Sequence, residues 1–360
     1  MRVADLPLAP EYADHFEGEG IEELYPPQAA AVEAGVCEGD NVVAAVPTAS
    51  GKTFVAELAL LTADGPGLYV CPLRALAREK FEEFDHLPGV DAGISTGDYD
   101  SAASDLADND IVVATSEKVD SAIRNGADWV DDLACVVVDE AHLLGAAGRG
   151  PTLEVTLATL RRRAPAVQIV ALSATVDNPE DIADWLDAEL VESTWRPVDL
   201  RVGVHADSAV EFDDATELAL PVDADDPATE ADTEVTAALV RGAVEDGGQA
   251  LAFVRSRREA ESLAERLRDE HLAEAVGAAD PPDAAGSVAE RLREIGGTET
   301  GERLATAAER GVAFLPAGLS SAPRALVGRA CRERRLAVIC ATPTLAAGVN
   351  VPARRVIVRD

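Results

Sequence analysis

The chain has 360 residues, 47 % of them hydrophobic, and 66 acidic residues against 31 basic ones give it a formal net charge of −35. That length fits two globular domains with sizeable cores; no run reaches the roughly 18 apolar residues that a membrane span needs, and the N-terminus MRVADLPLAP lacks the basic and apolar profile of a secretion signal. A cytoplasmic chain without a membrane partner is therefore expected, and the charge taken alone argues against a nucleic-acid partner at low salt.

In chain order, short β-branched runs alternate with alanine- and leucine-rich stretches. Strands are predicted at 41–46, 67–72, 110–115, 134–139 and 168–173, with helices at 54–61 and 73–84. Such alternation implies βα units and a parallel sheet, and the continuous apolar character of the strands implies helices on both faces. After about Trp195 the pattern breaks: residues 205–234 carry eleven acidic residues and no Lys or Arg. This stretch reads as a solvated linker with a β-hairpin at 210–212 and 217–220; a strip mimicking nucleic acid is the alternative. Alternation resumes with a strand at 249–255, a helix at 256–270, a loop and short helix at 273–300, a strand at 312–315, a helix at 322–334 and strands at 336–341 and 355–359. The expected division is a first α/β domain over 1–200, an acidic linker or hairpin over 201–234 and a second α/β domain over 235–360. Cys37, Cys71, Cys135, Cys331 and Cys340 form no C-x-x-C pair and are read as reduced core residues rather than metal ligands.

Strand 41–46 runs into Pro47-Thr48-Ala49-Ser50-Gly51-Lys52-Thr53 and then a helical run. This is a phosphate-binding loop in its proper context: loop N–H groups and the helix N-terminus cradle an anion. Thr48, Ala49, Ser50 and Gly51 form the cradle, Lys52 reaches the phosphates of ATP and Thr53 holds Mg²⁺. The first glycine of the usual pattern is replaced by Val46. Strand 134–139 ends in Asp139-Glu140-Ala141-His142, and carboxylates at a strand's C-terminal end face the ligand crevice of an open α/β sheet. Asp139 is assigned to Mg²⁺ and Glu140 to polarising the attacking water, with His142 assigned to coupling.

With these two motifs in order, the chain resembles a superfamily 2 DExH-box helicase along almost its whole length. Leu24-Tyr25-Pro26-Pro27-Gln28 is similar to the family's adenine-reading segment, with Gln28 as the reader. Cys71-Pro72-Leu73-Arg74-Ala75-Leu76-Ala77, Thr96-Gly97-Asp98-Tyr99 and Thr115-Ser116-Glu117-Lys118 are similar to the motifs that touch a nucleic-acid backbone, which assigns Pro72, Arg74, Thr96, Gly97 and Thr115 to that surface. Ser173-Ala174-Thr175 resembles the motif that links ATP state to domain closure, with Ser173 and Thr175 as its polar members. Phe253-Val254-Arg255-Ser256 and the run from Ala341-Thr342-Pro343-Thr344 to Gly348-Val349-Asn350-Val351-Pro352-Ala353 resemble motifs of the second domain. They assign Arg255, Thr342 and Thr344 to nucleic-acid contact or coupling and Gly348 to the nucleotide. Trp195-Arg196-Pro197-Val198 points with the last of these to the Ski-two-like branch and its archaeal HelQ-type DNA repair helicases.

The resemblance implies two RecA-like P-loop NTPase domains, the second incomplete, because the sequence ends before the motif that supplies an arginine finger. Arg354, Arg355 and Arg359 precede that place and are not assigned the role. The implied function is an ATP- and Mg²⁺-dependent 3′-to-5′ DNA helicase motor, here a fragment that hydrolyses ATP weakly. It would be monomeric and would act on single-stranded or forked DNA in repair or replication restart. An RNA helicase of the same branch, or an ATP-gated regulator without unwinding activity, is the alternative. The aspartate-rich, lysine-poor composition resembles cytoplasmic proteins of organisms living at molar salt, where a Debye length of about 3 Å screens the global charge and leaves local arginines free to touch phosphates.

Overall fold

A computed structural model describes the chain except residues 98, 101–105, 147, 149, 175–177, 207–208, 221–227, 271, 273–282, 296, 317, 344–350 and 360. Of the assigned residues, Thr175, Thr344 and Gly348 therefore lie outside the described ones. The chain forms two compact units, Met1–Leu200 and Arg201–Asp360.

In the first unit, helices α1 (Pro10–Gly18) and α2 (Pro26–Glu33) precede β1 (Val42–Ala45). The βα succession then follows: α3 (Lys52–Thr62), β2 (Gly67–Cys71), α4 (Arg74–Asp85), β3 (Ala92–Thr96), β4 (Tyr99–Asp100), β5 (Ile111–Thr115), α5 (Ser116–Arg124), β6 (Cys135–Val138), α6 (Gly150–Arg163), β7 (Gln168–Ser173), α7 (Pro179–Leu186) and β8 (Glu189–Glu192). The strands form one sheet in the order β4-β3-β5-β2-β6-β7-β1-β8, parallel except for the β3–β4 pair. The predicted strands are all present. β3, β4 and β8 were not predicted, because Ala92–Thr96 includes a glycine and polar residues, Tyr99–Asp100 is only two residues long and Glu189–Glu192 buries only Val191.

Side chains alternate across the sheet, as a two-residue period demands. Val42, Ala44, Tyr69, Val113, Val137, Val170 and Leu172 join one core with Phe16, Phe54, Leu58 and Phe84 from α1, α3 and α4. Val43, Leu68, Val70, Val112, Val136, Val138 and Ile169 join the other with Leu157, Leu160 and Leu186 from α6 and α7. Both faces are thus covered, which is why these strands read as uninterrupted apolar runs.

The second unit opens with a three-stranded antiparallel sheet of β9 (Gly203–Ala206), β10 (Ala209–Phe212) and β11 (Glu217–Ala219). The hairpin read from sequence is its β10–β11 half. Helix α8 (Ala228–Glu245) begins inside the stretch 201–234 expected as linker; acidic residues at the start of a helix favour it through the helix dipole, so the same charges that suggested a solvated linker suit a helix N-terminus. Then come β12 (Ala250–Phe253), α9 (Arg257–Arg268), α10 (Asp283–Ile295), α11 (Glu299–Ala308), β13 (Val312–Leu315), α12 (Ser321–Arg332), β14 (Val338–Ala341) and β15 (Arg355–Val358), the strands in an all-parallel sheet of order β13-β14-β12-β15. Of the stretch 273–300 expected as a loop and short helix, residues 273–282 lie outside the described ones; thirteen-residue α10 and the start of α11 follow, more helix than expected. Ser256 and Thr298 cap α9 and α11 by accepting from Glu259 N–H and Gly301 N–H. No helix among the described residues is long and apolar enough to cross a membrane.

A buried glutamine braces each parallel sheet. Gln168 Nε2 donates to the carbonyls of Val36 and Asp40, both at 2.8 Å, at the start of β7. Gln249 Nε2 donates to those of Cys331 and Leu336 at 2.8 and 2.6 Å, just ahead of β12. An apolar replacement removes the donor and strands the carbonyls. Gln249→Leu is therefore expected to cost about 1–3 kcal/mol of stability, readable as a lower midpoint in denaturant unfolding; an unchanged midpoint refutes the brace.

A second polar feature lies between α3 and α4. Lys80 is 7 % exposed and donates to Glu83 Oε2 at 2.6 Å, and Glu57 stands nearby. Burial pushes the Glu57 carboxyl up to about 8; Lys80 pulls it down, and Glu83 and Glu19 push it further up. Between the ordinary value of 4.5 and about 8 the folded chain holds a proton that the unfolded chain has released. Stability therefore falls as pH rises through that window and levels off above it. Glu57→Gln should flatten the decline of melting temperature between pH 6 and pH 9; a decline as steep as that of the unmodified chain refutes the assignment.

Candidate functional site

Parallel pairing fixes the site. Six of the motifs singled out in the first unit sit at the C-terminal ends of parallel strands: the phosphate loop after β1, Pro72 after β2, Thr96 on β3, Thr115 on β5, Asp139 after β6 and Ser173 on β7. Sheet order sorts them into two neighbouring sets. β6-β7-β1 carries the nucleotide motifs, and β3-β5-β2 carries those assigned to a nucleic-acid backbone.

The phosphate loop takes left-handed backbone at Ala49 (φ 65°) and Gly51 (φ 81°). Val46 has no positive φ. Its N–H donates to Ser173 O at 3.1 Å as an extension of the strand pairing. That is why a valine serves where the usual pattern has glycine. Gly51 is doubly constrained: a Cβ there would lie 2.1 Å from Gln28 Nε2. Ser50 Oγ donates to Pro47 O at 2.6 Å and closes the turn.

Lys52 opens α3, with its Nζ donating to Val46 O at 3.1 Å. Burial lowers the Lys52 ammonium below its usual range; Glu140 and Asp139 pull it back up, and Arg196 adds to the lowering. The lysine, both carboxylates and that arginine thus share one electrostatic neighbourhood. Arg196 Nη1 lies 3.3 and 3.4 Å from Thr48 O and Oγ1, directly on the loop. The preceding Trp195 packs against Tyr25 with ring centroids 4.7 Å apart.

Gln28 is 4 % exposed and already engaged on both sides of its amide. Oε1 accepts from Tyr25 N–H at 2.7 Å, and Nε2 donates to Gly51 O at 3.1 Å. The residue expected to read adenine is thus also a strut under the phosphate loop, with one N–H and one lone pair still in hand.

Asp139 is held from two sides: Oδ1 accepts from Glu140 N–H and Oδ2 from the buried Tyr69 hydroxyl, both at 2.9 Å. Burial, Asp139 and Cys71 push the Tyr69 phenol well above its usual range, so it remains a donor. Glu140 adopts a left-handed backbone (φ 53°), a strained state for a non-glycine residue of the kind found at functional positions. His142, in the 3₁₀ turn Ala141–Gly145, brings Nδ1 to 3.2 Å from Glu140 Oε2 without hydrogen-bond alignment. Ser173 Oγ is buried with no hydrogen-bond partner among the described residues. A buried orphan hydroxyl beside the loop is an unsatisfied group that calls for a partner.

These donors fit ATP with Mg²⁺. No group of three or more His, Cys, Asp or Glu among the described residues could hold a metal by itself. One hydroxyl (Thr53) and one carboxylate (Asp139) suit Mg²⁺, which takes its remaining ligands from phosphate and water. Thr53 Oγ1 accepts from Lys80 Nζ at 3.0 Å.

In the other set, Arg74 begins α4 and its guanidinium covers Gly97, where a Cβ would lie 2.2 Å from Nη2. The structure thus brings together two residues from separate motifs and explains the glycine. Thr115 forms the N-cap of α5, and Thr96 and Thr115 are both buried. In the second unit, Arg255 follows β12 and Thr342 follows β14, at the C-terminal ends of paired strands. Arg255 is exposed, 3.6 Å from Glu259, whereas Thr342 is buried.

Sequence reasoning passed over Tyr69 and Lys80. A tyrosine within an apolar strand signals a buried hydroxyl in need of a partner. A lysine in a chain that uses only three among 31 basic residues is a comparable signal.

Residues 25–182 match the DEAD/DEAH box helicase family. The whole chain is 44 % identical to the ATP-dependent DNA helicase Hel308 of Methanocella arvoryzae and 42 % identical to that of Pyrococcus abyssi, covering 48 % of each. For the Hel308 of Thermococcus kodakarensis the identity is 43 % over 96 % of this chain and 29 % of the relative. The chain spans about half the length of the first curated relatives it matches. A phosphate loop, a DExH turn and their strand order in one parallel sheet agree with a DEAD/DEAH box helicase domain over residues 25–182, in a chain similar along its own length to about half of the Hel308-type ATP-dependent DNA helicases.

Proposed function

We propose that this chain is the ATP-driven motor of a DNA helicase that translocates 3′ to 5′ on single-stranded or forked DNA during repair or replication restart. The observation that carries the reading is the sorting of six motifs along one sheet edge, nucleotide groups on β6-β7-β1 and backbone-contacting groups on β3-β5-β2. The names of the relatives, ATP-dependent DNA helicases, support DNA as the substrate.

In this reading the loop 48–51 and Lys52 bind the phosphates. Thr53 and Asp139 hold Mg²⁺, which would neutralise charge developing on the phosphates. Glu140 polarises the attacking water, and its strained backbone presents the carboxylate beside His142. Gln28 reads adenine with the amide valences left to it, and Ser173 senses the nucleotide through its free hydroxyl. Pro72, Arg74, Thr96, Gly97 and Thr115 are assigned to the nucleic-acid backbone; Arg255, Thr342 and Thr344 are assigned to nucleic-acid contact or coupling, Thr175 and His142 to coupling, and Gly348 to the nucleotide. The motor works as a monomer in the cytoplasm, at salt concentrations that screen its charge.

The test is an ATPase and thermal-shift assay in about 2 M KCl. ATP with Mg²⁺ should raise the melting temperature, and single-stranded DNA should raise turnover. Lys52→Ala should abolish both responses. Glu140→Gln should keep the thermal shift and lower turnover by about 10²-fold or more, the scale of a lost general base. Absence of any Lys52-dependent shift ends the nucleotide reading. Stimulation by single-stranded RNA that exceeds stimulation by DNA would move the substrate to RNA.

A further inference from the structure

The proposed motor gives no task to Lys80. Only three of the chain's 31 basic residues are lysine, namely Lys52, Lys80 and Lys118; arginine supplies every other side-chain cation. A lysine against that bias places a compact ammonium where this chain otherwise uses a planar five-donor fork, and the two are not interchangeable. Lys52 is the phosphate-loop lysine. Lys80 lies midway along α4 and is almost as buried as the core around it, at 7 % exposed.

Its partners are specific. Lys80 Nζ donates to Thr53 Oγ1 at 3.0 Å and to Glu83 Oε2 at 2.6 Å. Stability alone gives little reason for this arrangement. A buried ion pair recovers its desolvation cost only with excellent geometry, and an apolar residue of similar volume is often as stable.

Thr53 shows what the ammonium does locally. Threonines deeper in helices of this chain donate to the carbonyl four residues back: Thr62 to Leu58, Thr156 to Thr152, Thr159 to Val155, Thr236 to Asp232 and Thr306 to Glu302. Thr53 is the second residue of α3, so the residue four back is Ala49, in the left-handed part of the phosphate loop. Without a helical carbonyl to settle on, its hydroxyl is a free rotor unless another group fixes it. Lys80 is the group that does so, by occupying one of the two lone pairs of Oγ1.

We propose that Lys80 is a positioning residue for the metal–nucleotide site, holding the Thr53 hydroxyl so that its second lone pair is the one available to Mg²⁺. The proposal deepens the nucleotide reading and rests on it. Lys80 touches neither nucleotide nor metal in this role. It acts through Thr53, as partners of metal ligands do when they fix a ligand's orientation. Glu83 keeps the ammonium neutralised, so that a cation can sit on the far side of the same oxygen.

The test measures ATP affinity of the full chain by equilibrium binding, once with Mg²⁺ and once with excess chelator, and takes the ratio as the strength of metal–nucleotide coupling. Thr53→Ala should abolish most of that ratio. Lys80→Met should reduce it by about 10- to 100-fold, the usual loss when the partner of a metal ligand is removed, while affinity in chelator stays within about twofold, because Lys52 and the loop still bind the phosphates. Lys80→Arg should not restore the ratio, because the fork cannot occupy the ammonium's place. Lys80→Gln, uncharged and one bond shorter but still a donor, should retain more of the ratio than Lys80→Met, and thermal unfolding of each variant checks the fold. The Thr53→Ala, Lys80→Met double variant should be no worse than Thr53→Ala alone. A ratio in Lys80→Met equal to that of the unmodified chain, with Thr53→Ala still defective, overturns the role of Lys80. Binding that Lys52→Ala leaves intact overturns instead the nucleotide reading beneath it.

Discussion

A parallel strand returns to its sheet only through a crossover, and right-handed crossovers leave the C-terminal ends of all such strands on one edge. In the first unit that constraint acts on β3, β5, β2, β6, β7 and β1, which lie side by side. Segments scattered from residue 46 to residue 173 are thereby forced into one row. The chemistry then follows from neighbour relations. β7 lies between β6 and β1, so the orphan Ser173 hydroxyl stands between the DExH carboxylates and the phosphate loop. β2 lies between β5 and β6, so its C-terminal end is where the two sets of motifs meet.

Charge is the second organising fact. At −35 the chain as a whole repels anions, yet both of its candidate surfaces must attract phosphate. Concentrating fixed positive groups locally resolves the conflict: Lys52 and Arg196 on the loop, and Arg74 at the start of α4 over Gly97. High ionic strength shortens the reach of the exposed carboxylates far more than it weakens buried contacts. The Lys80–Glu83 pair and the Thr53 contact belong to the second kind.

Much of this was legible in the sequence because burial on two faces leaves a plain signature. Residues 41–46, 67–72, 110–115, 134–139 and 168–173 announce themselves as apolar runs, and each contains a central strand. β8, at the sheet edge, does not, since Glu189 and Glu192 face solvent; α10 was underestimated because it follows a proline- and aspartate-containing stretch. The site divides along the same line. Motif residues carried by a turn and a strand end are local and can be read from spacing. Tyr69 on Asp139, Gln28 on Gly51, Arg196 on Thr48 and Lys80 on Thr53 join residues 23 to 148 positions apart. Only the fold brings those together. Val46 shows the converse: the backbone there has no positive φ, so the position does not demand the glycine of the usual pattern.

Helix α4 bears on how the two sets of motifs communicate. Its first residue, Arg74, lies against Gly97 among the groups assigned to the nucleic-acid strand. Six residues further on, about 9 Å along the axis, Lys80 is bonded to Thr53 in the nucleotide set. A helix is stiff over that distance, and α4 packs through Ala77 and Phe84 on the same core as α3. In the proposed reading, a bound strand that shifts the start of α4 as a whole would move the Lys80–Thr53 contact with it. Protein interiors switch between packed arrangements rather than deform continuously, so the connection favours discrete states of the metal ligand over graded ones. Under the proposed assignments, α4 would link strand occupancy to the nucleotide site within the first unit alone.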